Sequence, residues 1–600
     1  VLDHAMRPVA PAPVPTSATS PRSSQVPAGT DQAPTDPADL TELLGSLADR
    51  APAWAAATIA ERIDLLRRVR DLVAAEAPAW VATGVALKGL DPAAPLVGGE
   101  EWLGGPYPTA AWLTEMIGTL ERLGAGADPL QGVSVRTRRD GQVLARVFPA
   151  TTADHLLLNG YEIDVWMQTG VTPPTLRDTV ATAYRTDPAP GVTLVLGAGN
   201  VSAIPILDAL YCLFADLQVV VLKMNPVNEA YGPVFERVLA PLVAAGYLAI
   251  TYGGAEVGER LTHSTLVDSI HITGSERTYD AIVWGPGQQS RVNKAAGTKV
   301  VTKPVRAELG GVGPTIVVPG PWTPEDIAYQ AQHLATQKLF SAGHTCVASQ
   351  VLILSSEWRQ ADALLDALRG ALADAPAREP FYPGTRERQA AFREANPAAE
   401  GIPGPVERTL LTGVDPTSDH PGFREELFGP VYLTTSLQVR GPGAFLRTAV
   451  AFANERLHGN LGANILIHPQ TAAELGDELE DAIAALRYGC IGVNVWSAFA
   501  FLAPRAAWGA FPGNPPEDIS SGVGVVHNAL LFDRSQKTVA HAPFRPFQRS
   551  WRHPGGGLAV KPPWFLDNRT AQQTAARFTA YAADPRPTRI PAIAAAAVRG

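Results

Sequence analysis

From Gly191 to Thr273 short apolar runs alternate with helical stretches, and this pattern limits the fold more than any other feature of the chain. Val192 to Leu196 reads as a buried strand. The turn Gly197-Ala198-Gly199-Asn200 follows, Pro205 sits near a helix start, and the helix runs over Leu207 to Phe214. Val219 to Lys223 is the next strand and Ala230 to Ala245 the next helix. Leu248 to Thr251, Gly258 to Thr265 and Ile270 to Thr273 continue as strand, helix and strand. Strands alternating with helices imply a parallel sheet covered on both faces, because each crossover places a helix on the sheet.

The flanks are read more coarsely. Residues 1 to 38 are rich in Pro, Ser, Thr and Ala and are expected to form a disordered tail. Thr41 to Ala51 and Trp54 to Val85 have helical apolar spacing, with a break expected at Pro78. Thr109 to Leu123 is a further helix, and Val133 to Val147 a hairpin turning at Asp140-Gly141. Helices around a break at Pro173-Pro174 are expected within Glu162 to Ala183. The last sixty or so residues, with Pro-Gly-Gly-Gly at 554 to 557, read as a surface extension.

Size and charge exclude several classes of function. Six hundred residues exceed the needs of one core, so two or more domains are expected. A formal net charge of -9 argues against phosphate-rich or anionic-membrane partners. The apolar stretch Ala203 to Met224 is interrupted by Asp208, Asp216 and Lys223, so no transmembrane helix is expected. Cys212, Cys346 and Cys490 form neither a disulfide framework nor a metal-ligand spacing. They suit a reducing, cytoplasmic setting, and the N-terminus shows no signal-peptide pattern.

One constellation carries chemistry. Cys346 lies in Ser341-Ala342-Gly343-His344-Thr345-Cys346; Glu308 lies upstream in Glu308-Leu309-Gly310-Gly311. Downstream stands Glu425-Glu426-Leu427-Phe428-Gly429-Pro430. Together these supply a soft nucleophile, a candidate base and a carboxylate able to orient a cofactor.

This set, in this order from about Gly191 to about Lys537, resembles the aldehyde dehydrogenase superfamily. The resemblance implies an α/β fold in which a Rossmann-type parallel-sheet domain binds NAD or NADP. An α/β catalytic domain and a small β oligomerisation element complete it. Cys346 is then the nucleophile, Glu308 the base that activates water, and Asn200 an oxyanion donor beside the Cys346 backbone N–H. Lys223 reaches the adenosine ribose. Pro226 stands where a ribose-binding Glu is usual, which leaves both dinucleotides open. Gly254, Gly258, Gly274 and Ser275 lie along the diphosphate, Glu426 on the nicotinamide ribose, and Phe428 beside the cofactor. His344 fills the position of a common Gln as a neutral hydrogen-bonding group, Cys490 is core, and Asn494 holds the active-site floor.

Departures from the family pattern set further expectations. Gly197-Ala198-Gly199 loosens the approach to Asn200, and 281 to 305 is a longer segment than usual. Trp496, Phe499, Phe501, Trp508 and Phe511 form an aromatic region near the substrate mouth. The expected division is a tail at 1–38, a dinucleotide domain at 39–307, a catalytic domain at 308–498 and a return segment at 499–600. The hairpin near 133–148 and late strands near 523–540 are candidates for an oligomerisation surface, in a homodimer or homotetramer. The expected reaction oxidises an aldehyde, of open chain length, aromaticity and charge, to a carboxylic acid through a thiohemiacetal and a thioester. The rivals are a CoA-dependent acyl reductase, which Glu308 opposes, and a silent scaffold, which the retained site residues oppose.

Overall fold

The computed structural model describes residues 32–92, 98–546 and 561–600. The expected tail therefore lies outside the described residues up to position 31, and a helix already begins at Pro37.

Nineteen strands are present among the described residues. In chain order they are β1 (Ser134–Thr137), β2 (Val143–Phe148), β3 (Glu162–Met167), β4 (Val192–Leu196), β5 (Val219–Lys223), β6 (Leu248–Thr251), β7 (Ser269–Gly274) and β8 (Val305–Leu309). Then come β9 (Gly313–Val317), β10 (Ser349–Ser355), β11 (Glu400–Ile402), β12 (Arg408–Val414), β13 (Val431–Leu437), β14 (Gly462–Leu466) and β15 (Cys490–Val493). The last are β16 (Ala507–Trp508), β17 (Gly522–Val523), β18 (Val526–His527) and β19 (Ser535–His541).

Two large sheets result. The first has six strands in the order β17-β8-β7-β4-β5-β6, parallel except for β17. Every residue of β5 is buried, as a strand covered on both faces requires. From β4 the chain steps outward to β5 and β6, then returns across β4 to β7 and β8. Strand order thus reverses beside β4, and ligands of such sheets sit at the carboxyl ends next to that reversal.

The second sheet has eleven strands in the order β1-β2-β3-β19-β15-β14-β9-β10-β13-β12-β11. Its centre, from β15 to β12, is parallel; β3 and β19 pair antiparallel and carry the hairpin β1–β2 at one edge. β8, with Glu308, belongs to the six-stranded sheet, so the division between sheets falls after Leu309 rather than before Glu308. The hairpin likewise extends the eleven-stranded sheet and not the dinucleotide-type one.

Most expected elements of the 191–273 region coincide with observed ones; three local readings are corrected. The helix Ile59–Leu87 runs through Pro78. A Pro interior to a helix costs one hydrogen bond, and the buried row Leu66, Val69, Val73, Ala77 and Trp80 keeps this helix on the core. Glu162–Met167 is a strand, because its alternating Ile163, Val165 and Met167 join the core between β2 and β19. The helix expected over 230–245 is split at Leu239 into Gly232–Val238 and Ala240–Ala244, with Pro241 opening the second piece. The longer segment after 281 houses the extra helix Gln288–Ala296.

Candidate active site

Every dinucleotide-side candidate sits at a carboxyl end of the six-stranded sheet. Asn200 follows β4, Lys223 ends β5, and Gly254 and Gly258 follow β6. Gly274 ends β7, Ser275 follows it, and Glu308 lies near the end of β8. From the other sheet, Cys346 precedes β10 and Glu426 and Phe428 precede β13. Because β10 and β13 are parallel neighbours, their leading loops are brought side by side. All ten residues line one cleft of about 1150 Å³ between the sheets.

The loop that carries Cys346 is held from both sides. The helix Pro324–Leu339 ends in a tight turn where Ser341 and Ala342 adopt left-handed backbone, with φ of 53° and 56°. Non-glycine residues pay for that conformation, so surrounding contacts must fix it. They do: Glu100 accepts the Ser341 backbone N–H at 3.2 Å, and Lys88 donates to the Ser341 hydroxyl at 3.2 Å. Glu100 is bound by Arg378 at 3.0 Å, and Lys88 by Glu101 at 2.7 Å, all four side chains being buried. Gln350 of β10 clamps the neighbouring loop. Its amide donates to the carbonyls of Gly422 and Glu425, and its oxygen accepts the Leu427 N–H. None of Lys88, Glu100, Glu101, Gln350 and Arg378 is signalled by sequence pattern, since each acts across a large sequence separation.

Cys346 is half-buried and lines the same cleft as the Glu308 carboxyl, close enough for each to influence the other's ionisation. Burial and the Glu308 charge push the thiol well above its ordinary range. Burial first, then the nearby Asp208, push Glu308 up to about 7, which is a useful position for a base near neutral pH. Glu308 Oε1 is buried and lacks a hydrogen-bond partner. Behind it, Thr273 donates to Asp208 at 2.7 Å and His271 meets the same carboxylate oxygen at 3.1 Å. Thr273 pairs with Glu308 across β7 and β8, so this buried polar group stands next to Glu308.

The Asn200 amide donates to the His344 carbonyl at 3.0 Å, which ties the oxyanion candidate to the cysteine loop and leaves its second amide hydrogen for a ligand. The loop before it is tight rather than loose. Asn228 donates to the Ala198 carbonyl at 3.1 Å, and a Cβ on Gly199 would lie 2.8 Å from Asn225. His344 is neutral: burial drives it down to about 3, and its ring bonds Thr385 at 3.0 Å. Phe428 packs on that ring at 5.4 Å.

Gly310 explains the glycine pair after Glu308. A Cβ there would collide with the Glu426 carboxylate, so only glycine lets that group reach the backbone, where the Gly311 N–H stabilises it. Burial nonetheless raises Glu426 to about 8, against the opposing charge of Lys338. Ser521 accepts the Asn460 N–H at 2.8 Å and donates to the Gly310 carbonyl at 2.9 Å, fixing the same turn.

The dinucleotide end fits its expected ligand. The helix Ala255–His263 starts at Gly254 without a side-chain cap, and a Cβ at Gly254 or Gly258 would meet only open space. Uncapped N–H groups and free volume are what a diphosphate requires. Ser275 caps the helix Glu276–Val283 by accepting the Thr278 N–H at 3.2 Å. Lys223 is buried beside Glu229, whose charge opposes the lowering that burial imposes. No cluster of three metal-ligating side chains occurs among the described residues.

On the other side of Cys346 lies a small apolar pocket. Trp496, Phe499, Phe501 and Trp508 line it as expected; Phe511 does not and lies against Lys537 instead. Cys490 is fully buried on β15. Asn494 bonds the backbone of Ile467 at 2.8 and 3.0 Å, so it ties β15 to the end of β14.

Residues 152–387 match the family model described as the aldehyde dehydrogenase family. The aminoacetaldehyde dehydrogenase of Pseudomonas aeruginosa is 26% identical over 272 residues, covering 42% of this chain and 50% of the relative. Human aldehyde dehydrogenase family 3 member B1 is 26% identical over 309 residues, covering 48% and 59%. The chain thus spans about half the length of the curated relatives it matches. The crystal structure of the aldehyde dehydrogenase KauB from Pseudomonas aeruginosa superposes with a TM-score of 0.57 at 18% identity, over 85% of this chain and 89% of that one. An NAD-dependent aldehyde dehydrogenase from Sinorhizobium meliloti superposes at 0.54 and 19%, over 86% and 88%. Over residues 152–387 the chain thus matches the aldehyde dehydrogenase family, and its fold is the one seen in solved aldehyde dehydrogenases.

Proposed function

We propose that the chain oxidises an aldehyde to a carboxylic acid with NAD or NADP as the second substrate. One observation carries the reading: a thiol and a buried carboxyl line the same dinucleotide-sized cleft, and the thiol also lines an apolar pocket. Glu308 takes the Cys346 proton, and the thiolate attacks the aldehyde carbon to give a thiohemiacetal. Asn200 and the Cys346 backbone N–H hold the oxyanion. When bound, the nicotinamide ring supplies the hydride acceptor. Lys223, the N–H groups at Gly254, Ser275 and Glu426 would hold the dinucleotide, with Phe428 against it. Loss of hydride leaves a thioester on Cys346. Glu308 passes the cysteine proton to solvent and, as carboxylate again, draws a proton from water; the water oxygen attacks the thioester carbon, the C–S bond breaks, and the acid leaves while the Cys346 thiolate takes the proton back from Glu308. A solved P. syringae indole-3-acetaldehyde dehydrogenase of similar fold is in complex with NAD+, which supports the cofactor class. The exposed edge strand β1 supports a homodimer or homotetramer.

The test follows reduced dinucleotide by absorbance with short, long and aromatic aldehydes and each of NAD+ and NADP+. Turnover is expected, and Cys346→Ala should lower it by at least about 10³-fold while dinucleotide affinity stays within about twofold. Undiminished turnover in that variant would remove Cys346 as nucleophile.

A further inference from the structure

Resting on the proposed reaction, we infer that the acyl group is uncharged and apolar, and that the C-terminal segment carrying Trp564 sets its size. The pocket beyond Cys346 has no charged side chain in its lining. Val201, Phe340, Trp496, Phe499, Phe501 and Trp564 enclose it. The Trp496 indole N–H is already given to the Val347 carbonyl at 2.9 Å, and the groups without a partner in this lining, the Trp508 indole N–H and the Thr345 hydroxyl, are uncharged. A charged acyl group entering here would lose its hydration and find no counter-charge, whereas each methylene gains from burial. A cationic aminoaldehyde, the substrate named for one relative, is therefore the wrong chemistry for this wall.

Trp564 brings the C-terminus into that wall. Its ring lies 5.4 Å from Phe499 and 6.1 Å from Tyr161, inside a cluster that also holds Phe148 at 5.6 Å from Phe499. The segment is anchored on the helix that leads into Cys346. The Leu566 N–H donates to Thr336 at 3.3 Å, and Phe565 stacks on His333 at 5.4 Å. The next helix, Ala571–Ala583, packs on Gly98 and Gly99, where a Cβ would strike Gln572 and Ala571. That contact supports Leu103 and Gly104, which also line the pocket. The far end of the chain thus forms one wall directly and braces another.

The experiment measures kcat/KM of the full chain for straight aldehydes from propanal to octanal and for benzaldehyde. Betaine aldehyde and succinic semialdehyde serve as charged comparators. The expected result is a rise of about 4-fold per methylene until the pocket is full, with charged aldehydes at least about 100-fold poorer than uncharged ones of equal size. Trp564→Ala should move the optimum towards longer or bulkier aldehydes, and Trp564→Phe should restore part of the original profile. A flat series, a preference for a charged aldehyde, or an unchanged profile in Trp564→Ala overturns the inference. Calorimetry with hexanamide and betaine reads the pocket without turnover. Hexanamide binding that weakens in Trp564→Ala supports the pocket even where no aldehyde is oxidised, a result that would sink the reaction alone. Hexanamide binding no better than betaine sinks the pocket.

Discussion

Glu308 links protonation to both rate and stability. Its carboxyl titrates near 7 in the folded chain and near 4.5 when unfolded. Catalysis that needs the carboxylate should therefore rise through pH 7 and level off above it. Glu308→Gln should lower kcat by about 10²- to 10⁴-fold and erase that rise, which a pH profile of the variant reads directly. Stability runs the other way. Below pH 4.5 both states hold the proton and the burial of Glu308 costs nothing through ionisation. Between 4.5 and 7 the folded state binds more protons, so stability falls as pH rises, and the full penalty is present above 7. Glu308→Gln should thus stabilise the chain at pH 8 by up to about 3 kcal/mol and change it little at pH 4, as urea unfolding would show.

Among the elements, the short helix Gly98–Leu103 does more than its six residues announce. Its two acids hold the left-handed turn before Cys346, Glu100 through the Ser341 N–H and Glu101 through Lys88. Glu101→Ala would leave Lys88 buried without that carboxylate, a change that costs about 3–5 kcal/mol. The expected outcome is a lowered unfolding midpoint together with slower alkylation of Cys346 by iodoacetamide relative to native protein under folded conditions. Unaltered stability would show that water or another group replaces the carboxylate. Strand pairing, by contrast, does its work without special residues. The parallel neighbours β10 and β13 bring Cys346 and Glu426 together simply because both loops precede their strands.

For the whole molecule, the C-terminal segment joins regions that are distant in sequence. Trp564, Phe565, Leu566, Ala575 and Ile593 are all buried against the body. A chain ended at residue 546 should expose Tyr329, His333 and the pocket wall, lowering the thermal midpoint by at least about 5 °C. Circular dichroism melts of the two chains check this; equal midpoints would mean that the segment contributes no net stability.

The sequence alone determined the parallel sheet around β4 to β7, and its motifs singled out Cys346, Glu308, Asn200 and Glu426, which the fold brings to one cleft. Those features are local: apolar runs of strand length, glycine at forced turns, and reactive side chains in short motifs. Tertiary structure decided what depends on distant contact. It carried the helix through Pro78, turned Glu162–Met167 into a strand, and tightened the loop before Asn200 with Asn225 and Asn228. It neutralised His344 by burial, raised Glu308 by burial and then by the Asp208 charge, and placed Trp564 in the same pocket lining as Cys346 across more than two hundred residues. Burial and long-range charge are properties of the packed chain, so no local pattern could report them.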